Sequence, residues 1–320
     1  MKRIRFRLMA LLLLLYWIPT SAHATKMLIP GGSIVGLELK NDTVTVVSFE
    51  EGSQAKAAGL EAGDRLLAID GHPITCAQDV RDALIRSDGH VELTVIRADT
   101  VTTLRCIPAI TAEGPKLGVY LRQGVTGIGT ITYYDPDTKL FGTLGHGVND
   151  ASGQLIALTE GCAYPAKVTS VRKGRPGHPG QLLGTLTSYE QSGTLLRNTA
   201  VGVFGTLEAS LSGEPLPVGS SESIRAGSAT ILSTVTGGPP QEYSVEILKI
   251  YSAARQNGRN LLLRVTDPAL LSTTGGIVQG MSGSPIIQDG KLVGAVTHVL
   301  VNDPTTGYGI FIENMLDAAA

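Results

Sequence analysis

Gly280-Met281-Ser282-Gly283-Ser284-Pro285 is followed by Ile286-Ile287-Gln288, by Asp289-Gly290 and by the apolar run Leu292 to Val299. This reads as a glycine-bounded serine, then a strand, a tight turn and a second strand. Glycine on either side of Ser282 frees the backbone for a sharp turn. That turn exposes the hydroxyl and lets the amides of Gly280 and Ser282 point at one spot. Two convergent amides are what an oxyanion hole needs, because charge develops on a carbonyl oxygen during acyl transfer. Upstream, from Lys116 onward, the chain runs in short β-like segments such as Gly118 to Leu121, Gly129 to Tyr133 and Lys167 to Val171. Glycine and proline separate them, most clearly in Gly174-Arg175-Pro176-Gly177-His178-Pro179-Gly180. Helical spacing appears in this part only over Ile312 to Ala318. Many short strands across about 200 residues predict a mainly β barrel or sandwich.

The composition agrees. In 320 residues, charged side chains make up 17% and hydrophobic ones 42%, with 39 glycines. The apolar content excludes a disordered chain. The 26 basic and 28 acidic residues give a net charge of −2 and no electrostatic footprint for nucleic acid. At the start, Lys2, Arg3, Arg5 and Arg7 precede an apolar run from Leu8 to Ile18, and Ala22-His23-Ala24 is a small-x-small cleavage pattern. Residues 1–24 therefore read as a signal peptide or an uncleaved signal anchor, which carries the rest of the chain across a membrane. Three cysteines, Cys76, Cys106 and Cys162, are too few and odd in number for a disulfide framework. There is no CxxC and no Cys/His cluster, so neither metal nor cofactor is expected.

Residues 25–110 form a separate unit by pattern. Ser53 caps a short helix over Gln54 to Ala58, Gly63-Asp64 leads into a strand over Arg65 to Ile69, and Asp70-Gly71 is a hairpin signal. Thr75 with Gln78 reads as a capping box for a helix from Cys76 to Arg86, with Ala77, Val80 and Leu84 on its apolar face. Val91, Leu93 and Val95 alternate as a half-buried strand. The segments Ile34-Val35-Gly36-Leu37 and Ala57-Ala58-Gly59-Leu60-Glu61-Ala62-Gly63-Asp64 resemble a PDZ domain of the bacterial type. The resemblance implies that Val35, Gly36 and Leu37 form a carboxylate-binding loop. A peptide terminus would then add as a strand beside Leu37 to Leu39, against the helix that carries Val80.

A serine needs a base. Of six histidines, His23 lies in the leader, His72 and His90 in the PDZ-like unit, and His178 in the Gly/Pro loop. His146, in Phe141-Gly142-Thr143-Leu144-Gly145-His146-Gly147, sits at a strand end between glycines and is the candidate base. Thr297, His298 and Val299 lie on the strand after the serine and read as a substrate-binding wall of the cleft. For a third, orienting group, chemistry leaves Asp267 open beside Asp135, Asp137 and Asp150.

The whole chain after the leader resembles the stage IV sporulation protein B family of serine peptidases. The carrying stretches are Phe141 to Gly147, Lys173 to Gly180, Asn198 to Leu207, and Gly275 to Met315. The resemblance implies a PDZ domain followed, over residues 111–320, by a chymotrypsin-like double β-barrel. It places the catalytic His, Asp and Ser on His146, Asp267 and Ser282, with the oxyanion hole at Gly280 and Ser282. It further implies export across the forespore membrane, self-cleavage, and cutting of a regulator of a membrane metalloprotease, which activates a late mother-cell sigma factor. Met281 stands where trypsin-like enzymes carry an aspartate, so activation by a new N-terminus pairing there is not implied. Two other readings compete: an inactive secreted PDZ adaptor, and a carboxyl-terminal processing type peptidase with Lys291 as base.

Overall fold

The computed structural model describes residues 26–112, 114–150, 153–252 and 258–320. The leader reading at 1–24 lies outside the described residues. No described helix is long and apolar enough to cross a membrane.

The chain enters its first barrel on a 16-residue strand, β1 (Ile34–Phe49). It then makes a compact excursion: α1 (Gln54–Ala57), β2 (Arg65–Ile69), α2 (Ala77–Arg86), β3 (Val91–Arg97) and β4 (Thr100–Cys106). It returns on a second 16-residue strand, β5 (Val119–Tyr134), and continues through β6 (Leu140–Thr143), β7 (Glu160–Arg172), β8 (Gln181–Leu186), β9 (Gly193–Thr199) and β10 (Gly202–Leu207). Strand pairing closes a ring in the order β1, β5, β6, β10, β9, β7 and back to β1, while β8 hangs off β7. The second barrel is built from β11 (Gly227–Ser233), β12 (Gln241–Ile250), β13 (Leu261–Val265), β14 (Pro285–Gln288), β15 (Lys291–Leu300) and β16 (Asp303–Phe311). It closes in the order β11, β12, β13, β16, β15, β14. Helix α3 (Pro268–Thr274) follows β13, and α4 (Ile312–Ala319) ends the chain.

Each ring buries its own apolar set. Val35, Leu37, Leu39, Phe141, Ala163 and Val203 fill the first. Ile231, Val245, Leu263, Ile286 and Val296 fill the second. A further cluster joins Tyr133 and Phe204 of the first barrel to Leu292 and Ile310 of the second, with Ile312 and Met315 of α4 wedged among them. Burial of these side chains, at roughly 25 cal/mol per Å² of apolar surface, sets the two barrels against each other and creates the crevice between them.

The excursion keeps the predicted PDZ-like pattern. Ser53 accepts from Lys56 N at 3.2 Å, and Val91, Leu93 and Val95 are buried with Val80 and Leu84. The cap of α2 differs from the expected Thr75/Gln78 box: Cys76 is the N-cap, and Asp79 Oδ2 accepts from Thr75 N, Thr75 Oγ1 and Cys76 N. A carboxylate one turn in satisfies three donors that Gln78 leaves alone. Ala83, not the exposed Ala77, completes the buried face.

The unit is inserted into the first barrel rather than placed before it. The first part of β1 pairs with β5 on one side and β7 on the other, whereas Val44 and Thr45 pair with β2. Val35, Gly36 and Leu37 are therefore not an open carboxylate-binding loop. Gly36 lies opposite Ile128 of β5 and Tyr164 of β7, so both backbone edges at this point are taken by the protein itself. The cause is the continuous burial of Ile34, Val35 and Leu37, which a barrel wall satisfies and a solvent-facing loop does not. Val80 belongs to the core cluster of the unit, at 5% exposure.

Candidate active site

Two turns, one from each barrel, meet in the crevice. The first follows β6. Leu144 and Gly145 both have positive φ, 69° and 68°, and deliver His146 to the barrel mouth. A left-handed leucine costs of order 1 kcal/mol and persists only where its surroundings over-determine it. Here Leu144 is 6% exposed in the first barrel's core. The second turn carries Ser282. Met281, fully buried in the second barrel, anchors it, its amide donating to Val278 O at 3.1 Å. An apolar plug thus occupies the position where an aspartate was absent from the sequence.

The turns are bolted together through Thr130 of β5. Its amide donates to Ser282 O at 3.1 Å and its hydroxyl to Gly280 O at 2.7 Å. Its own carbonyl accepts from Thr143 Oγ1 at 2.6 Å. Gly283 N donates to Val296 O and Ser284 N to Met281 O. These bonds use the neighbouring polar groups and leave the amides of Gly280 and Ser282 without a protein partner among the described residues. Gly280 is at φ 97°, which orients its amide as a non-glycine residue would not.

The crevice, about 370 Å³, is lined by His146, Ser282, Gly280, Thr297, His298 and Val299, with Ile128, Leu144, Ile277 and Val278 as apolar walls. His146 Nδ1 lies 2.9 Å from Gly147 O. The carbonyl selects the tautomer with hydrogen on Nδ1, which leaves Nε2 as the basic nitrogen. Burial lowers the His146 pKa below the ordinary 6.5, opposed by the bond to Gly147. Ser282 Oγ donates to Thr297 O at 2.8 Å. The ring centroids of His146 and His298 are 5.2 Å apart. His298 Nδ1 is buried without a hydrogen-bond partner.

Of the residues the sequence pointed to, His146, Ser282, Gly280, Thr297, His298 and Val299 converge here. Asp267 does not line the crevice. It is the N-cap of α3, accepting from Leu270 N at 2.9 Å and Ser244 N at 3.4 Å, with Pro268 at the first helical position. No carboxylate acts on His146 among the described residues. Asp135 pairs with Lys26 at 3.1 Å, and Asp150 lies 3.9 Å from Arg65. Lys291 is exposed at the start of β15, across the hairpin from Gln288.

Sequence reasoning missed two positioning residues. One is Thr130, a threonine like many others in a strand. The other is Asn198, at the end of β9: its Nδ2 donates to Val148 O at 2.8 Å and Ile156 O at 2.9 Å, and its Oδ1 accepts from Val148 N at 2.9 Å. It staples the loop that follows His146.

A crevice between two β-barrels with a histidine on one lip and a serine beside two unpaired amides on the other is the arrangement of an acyl-transfer enzyme. Residues 113–316 match the model of the SpoIVB peptidase S55 family, and residues 45–97 match a PDZ domain model. The chain belongs to the SpoIVB peptidase S55 family. It is a serine peptidase with a PDZ domain. Among curated proteins, it is 37% identical over 86 residues to Atu1380 of Agrobacterium fabrum, named as a candidate zinc metalloprotease, covering 27% of this chain and 23% of that one. It is 34% identical over 99 residues to R01501 of Rhizobium meliloti, similarly named, covering 31% and 26%. The chain thus spans about a quarter of the length of these relatives. Among solved structures, the PDZ domain of an SdrC-like protein from Listeria monocytogenes aligns at 27% identity and TM-score 0.23, over 25% of this chain and 87% of that one. The Rv3671c protease in an inactive form aligns at 14% identity and TM-score 0.35, over 60% and 82%.

Proposed function

We propose that this S55 peptidase is a serine endopeptidase of sporulation signalling, with Ser282 as nucleophile, His146 as general base and the amides of Gly280 and Ser282 as oxyanion hole. The single observation that carries the assignment is the meeting of His146, Ser282 and two unpaired amides in one crevice. The Ser282 hydroxyl turns from Thr297 O toward Nε2 of His146, which takes its proton as Oγ attacks the scissile carbonyl. The resulting oxyanion is held by Gly280 N and Ser282 N. His146 then returns the proton to the leaving amine, and water repeats the cycle to release the acyl group. The Gly147 carbonyl holds the imidazole tautomer throughout. The backbone of Thr297 to Val299 pairs with the acyl side of the substrate.

In this reading the leader carries the chain across the forespore membrane. The enzyme cuts itself and a regulator of a membrane metalloprotease, so that a late mother-cell sigma factor is activated. Family membership and the N-terminal pattern Lys2 to Ala24 support it. Incubating the purified chain with membranes carrying the regulator, and sequencing the new N-termini, tests it. Ser282→Ala is expected to abolish both cleavages, a loss of at least ~10⁴-fold. Cleavage by that variant would end the reading.

One observation favours a second reading, an inactive PDZ adaptor: Ser282 Oγ is engaged by Thr297 O and not by His146. A fluorophosphonate probe separates the two. Labelling that Ser282→Ala removes establishes the enzyme.

A further inference from the structure

A second groove adjoins the crevice. It measures about 590 Å³ and runs between β5 and β8, lined by Gly127, Ile128, Leu183, Leu186, Tyr164 and Tyr189 among others. Three features connect it to the serine. Ile128 lines both cavities. Gln181 bridges to Gln279, and Leu182 N donates to Gln279 O at 2.8 Å. The Leu182 side chain also lies against Gly280.

The walls of the groove are two backbone edges that lack a neighbouring strand among the described residues. β8 pairs with β7, and its other edge is taken only at its start, where Gln279 bridges Gln181, so it is open from Leu183 onward; β5 up to Gly129 pairs only with β1. Unpaired edges on either side of a slot accept an extended peptide through main-chain hydrogen bonds. The side chains that line the slot are mainly apolar or aromatic, with Thr126, Gln181 and Thr185 as its neutral polar members. Its one carboxylate, Glu38, already accepts from Tyr164 OH at 2.9 Å. Tyr189, at 91% exposure, and Leu183, at 43%, stand open at the rim. Gly127 sets the depth: a Cβ there meets nothing within 4 Å.

We propose that this groove binds, in extended form, the substrate segment on the leaving-group side of the scissile bond, selecting apolar side chains. The inference rests on Ser282 being the nucleophile. The acyl side uses Thr297 to Val299, none of which lines this groove, so the opposite side of the peptide is the one that reaches it.

The test uses the full chain carrying Ser282→Ala and a fluorescein-labelled hexapeptide alternating Val and Tyr with Ala, against the same peptide with Asp and Lys in place of Val and Tyr. Fluorescence anisotropy is expected to show saturable binding of the apolar peptide alone. Adding Gly127→Leu, whose Cβ meets nothing within 4 Å and whose side chain would occupy the groove, is expected to weaken it at least tenfold, with Gly127→Ala intermediate. In the active chain, extending a peptide substrate by those residues after the cut is expected to raise kcat/KM at least tenfold, and Gly127→Leu to remove most of that gain. Equal binding with and without Gly127→Leu, or cleavage with no dependence on leaving-group length, overturns the groove. So does a cross-link from position 127 to residues 1–25, which would make the occupant the chain's own leader. Binding that survives in a chain that cuts nothing supports the groove and counts against the catalytic reading instead.

Discussion

The imidazoles of His146 and His298 face each other at 5.2 Å, tilted by 41°. Burial depresses both; His298 is pushed down to about 4, first by desolvation and then by the charges of His146 and Arg259. Both rings are therefore neutral at pH 7. In the proposed mechanism activity requires neutral His146, so it is expected to be lost as pH falls through a pKa that lies below the ordinary 6.5. The acid limb of kcat/KM is expected to have its midpoint below that value. A midpoint at or above 6.5 would contradict it. The sign for stability is the same. Between the unfolded value of 6.5 and the depressed folded values, the unfolded chain binds more protons, so stability falls with falling pH. Denaturant midpoints measured from pH 7 to 4.5 check this, and His298→Phe is expected to flatten the slope.

Asp267 is occupied with starting α3. Asparagine caps helices as well as aspartate. Asp267→Asn is expected to keep kcat/KM within about tenfold, whereas loss of an orienting triad carboxylate costs about 10⁴-fold. Asp267→Ala is expected to lower stability by ~1 kcal/mol through the lost cap. The two variants, compared by fluorophosphonate labelling rate and thermal unfolding, separate the roles. A 10³-fold fall in Asp267→Asn with unchanged stability would assign the carboxylate to catalysis.

The parts of the molecule that were legible in the sequence are those fixed by local pattern. The turn at Ser282 with its hairpin, the helix over Ala77 to Arg86 and the strand with Val91, Leu93 and Val95 follow from glycine placement and hydrophobic period. What was hidden depends on distant pairing. Val125 to Gly129, rich in glycine, lie within β5 because barrel closure supplies Val35 to Leu39 of β1 as partners that no short window contains, and Asn41 to Thr43 with Gly124 form an irregularity in that pairing. The glycine at position 36 fitted a carboxylate loop by motif, but the buried run around it belongs to a barrel wall. Asp267-Pro268 carries a helix-start signal, whereas the catalytic role expected of Asp267 comes from the family resemblance and not from any local pattern. Asn198 acts on Val148, fifty residues earlier, and no local pattern marks it.

Asn198 holds Val148 by both its amide and its carbonyl, and Ile156 by its carbonyl. Asn198→Ala leaves Val148 N and Ile156 O to find other partners, at about 1–3 kcal/mol for those that stay buried, while Val148 O keeps its bond from Ile156 N at 3.0 Å. The loop carrying His146 then loses its register. A misplacement of about 1 Å at a reacting group costs about 10²-fold. The fluorophosphonate labelling rate of Asn198→Ala is expected to drop by roughly 10–100-fold, with the acid limb of the pH profile shifted toward 6.5 as the ring becomes more exposed. Asn198→Asp keeps one acceptor for Val148 N and is expected to fall between. Labelling at the wild-type rate in Asn198→Ala would show that the staple does not position the base.

Gly283 sits at φ 97° under the first barrel. A Cβ at this position would meet Thr130 O at 2.1 Å and Leu144 N at 2.6 Å, both backbone atoms. Nothing there is a flexible tip, so the added carbon must push the serine turn away from β5 and from the turn that carries His146. The bonds from Thr130 N to Ser282 O and from Thr130 Oγ1 to Gly280 O are the ones displaced. Gly283→Ala is therefore expected to remove fluorophosphonate labelling by at least ~10²-fold. It should also lower stability by several kcal/mol, the sum of a left-handed alanine and overpacking between barrels. Gly290→Ala, at φ 71° in the hairpin turn with nothing within 4 Å of its Cβ, shares the backbone penalty without the clash. It is expected to cost about 1–2 kcal/mol and to leave the labelling rate near that of the parent chain. If the two variants behaved alike, close approach of the two turns would not be what holds Ser282 opposite His146.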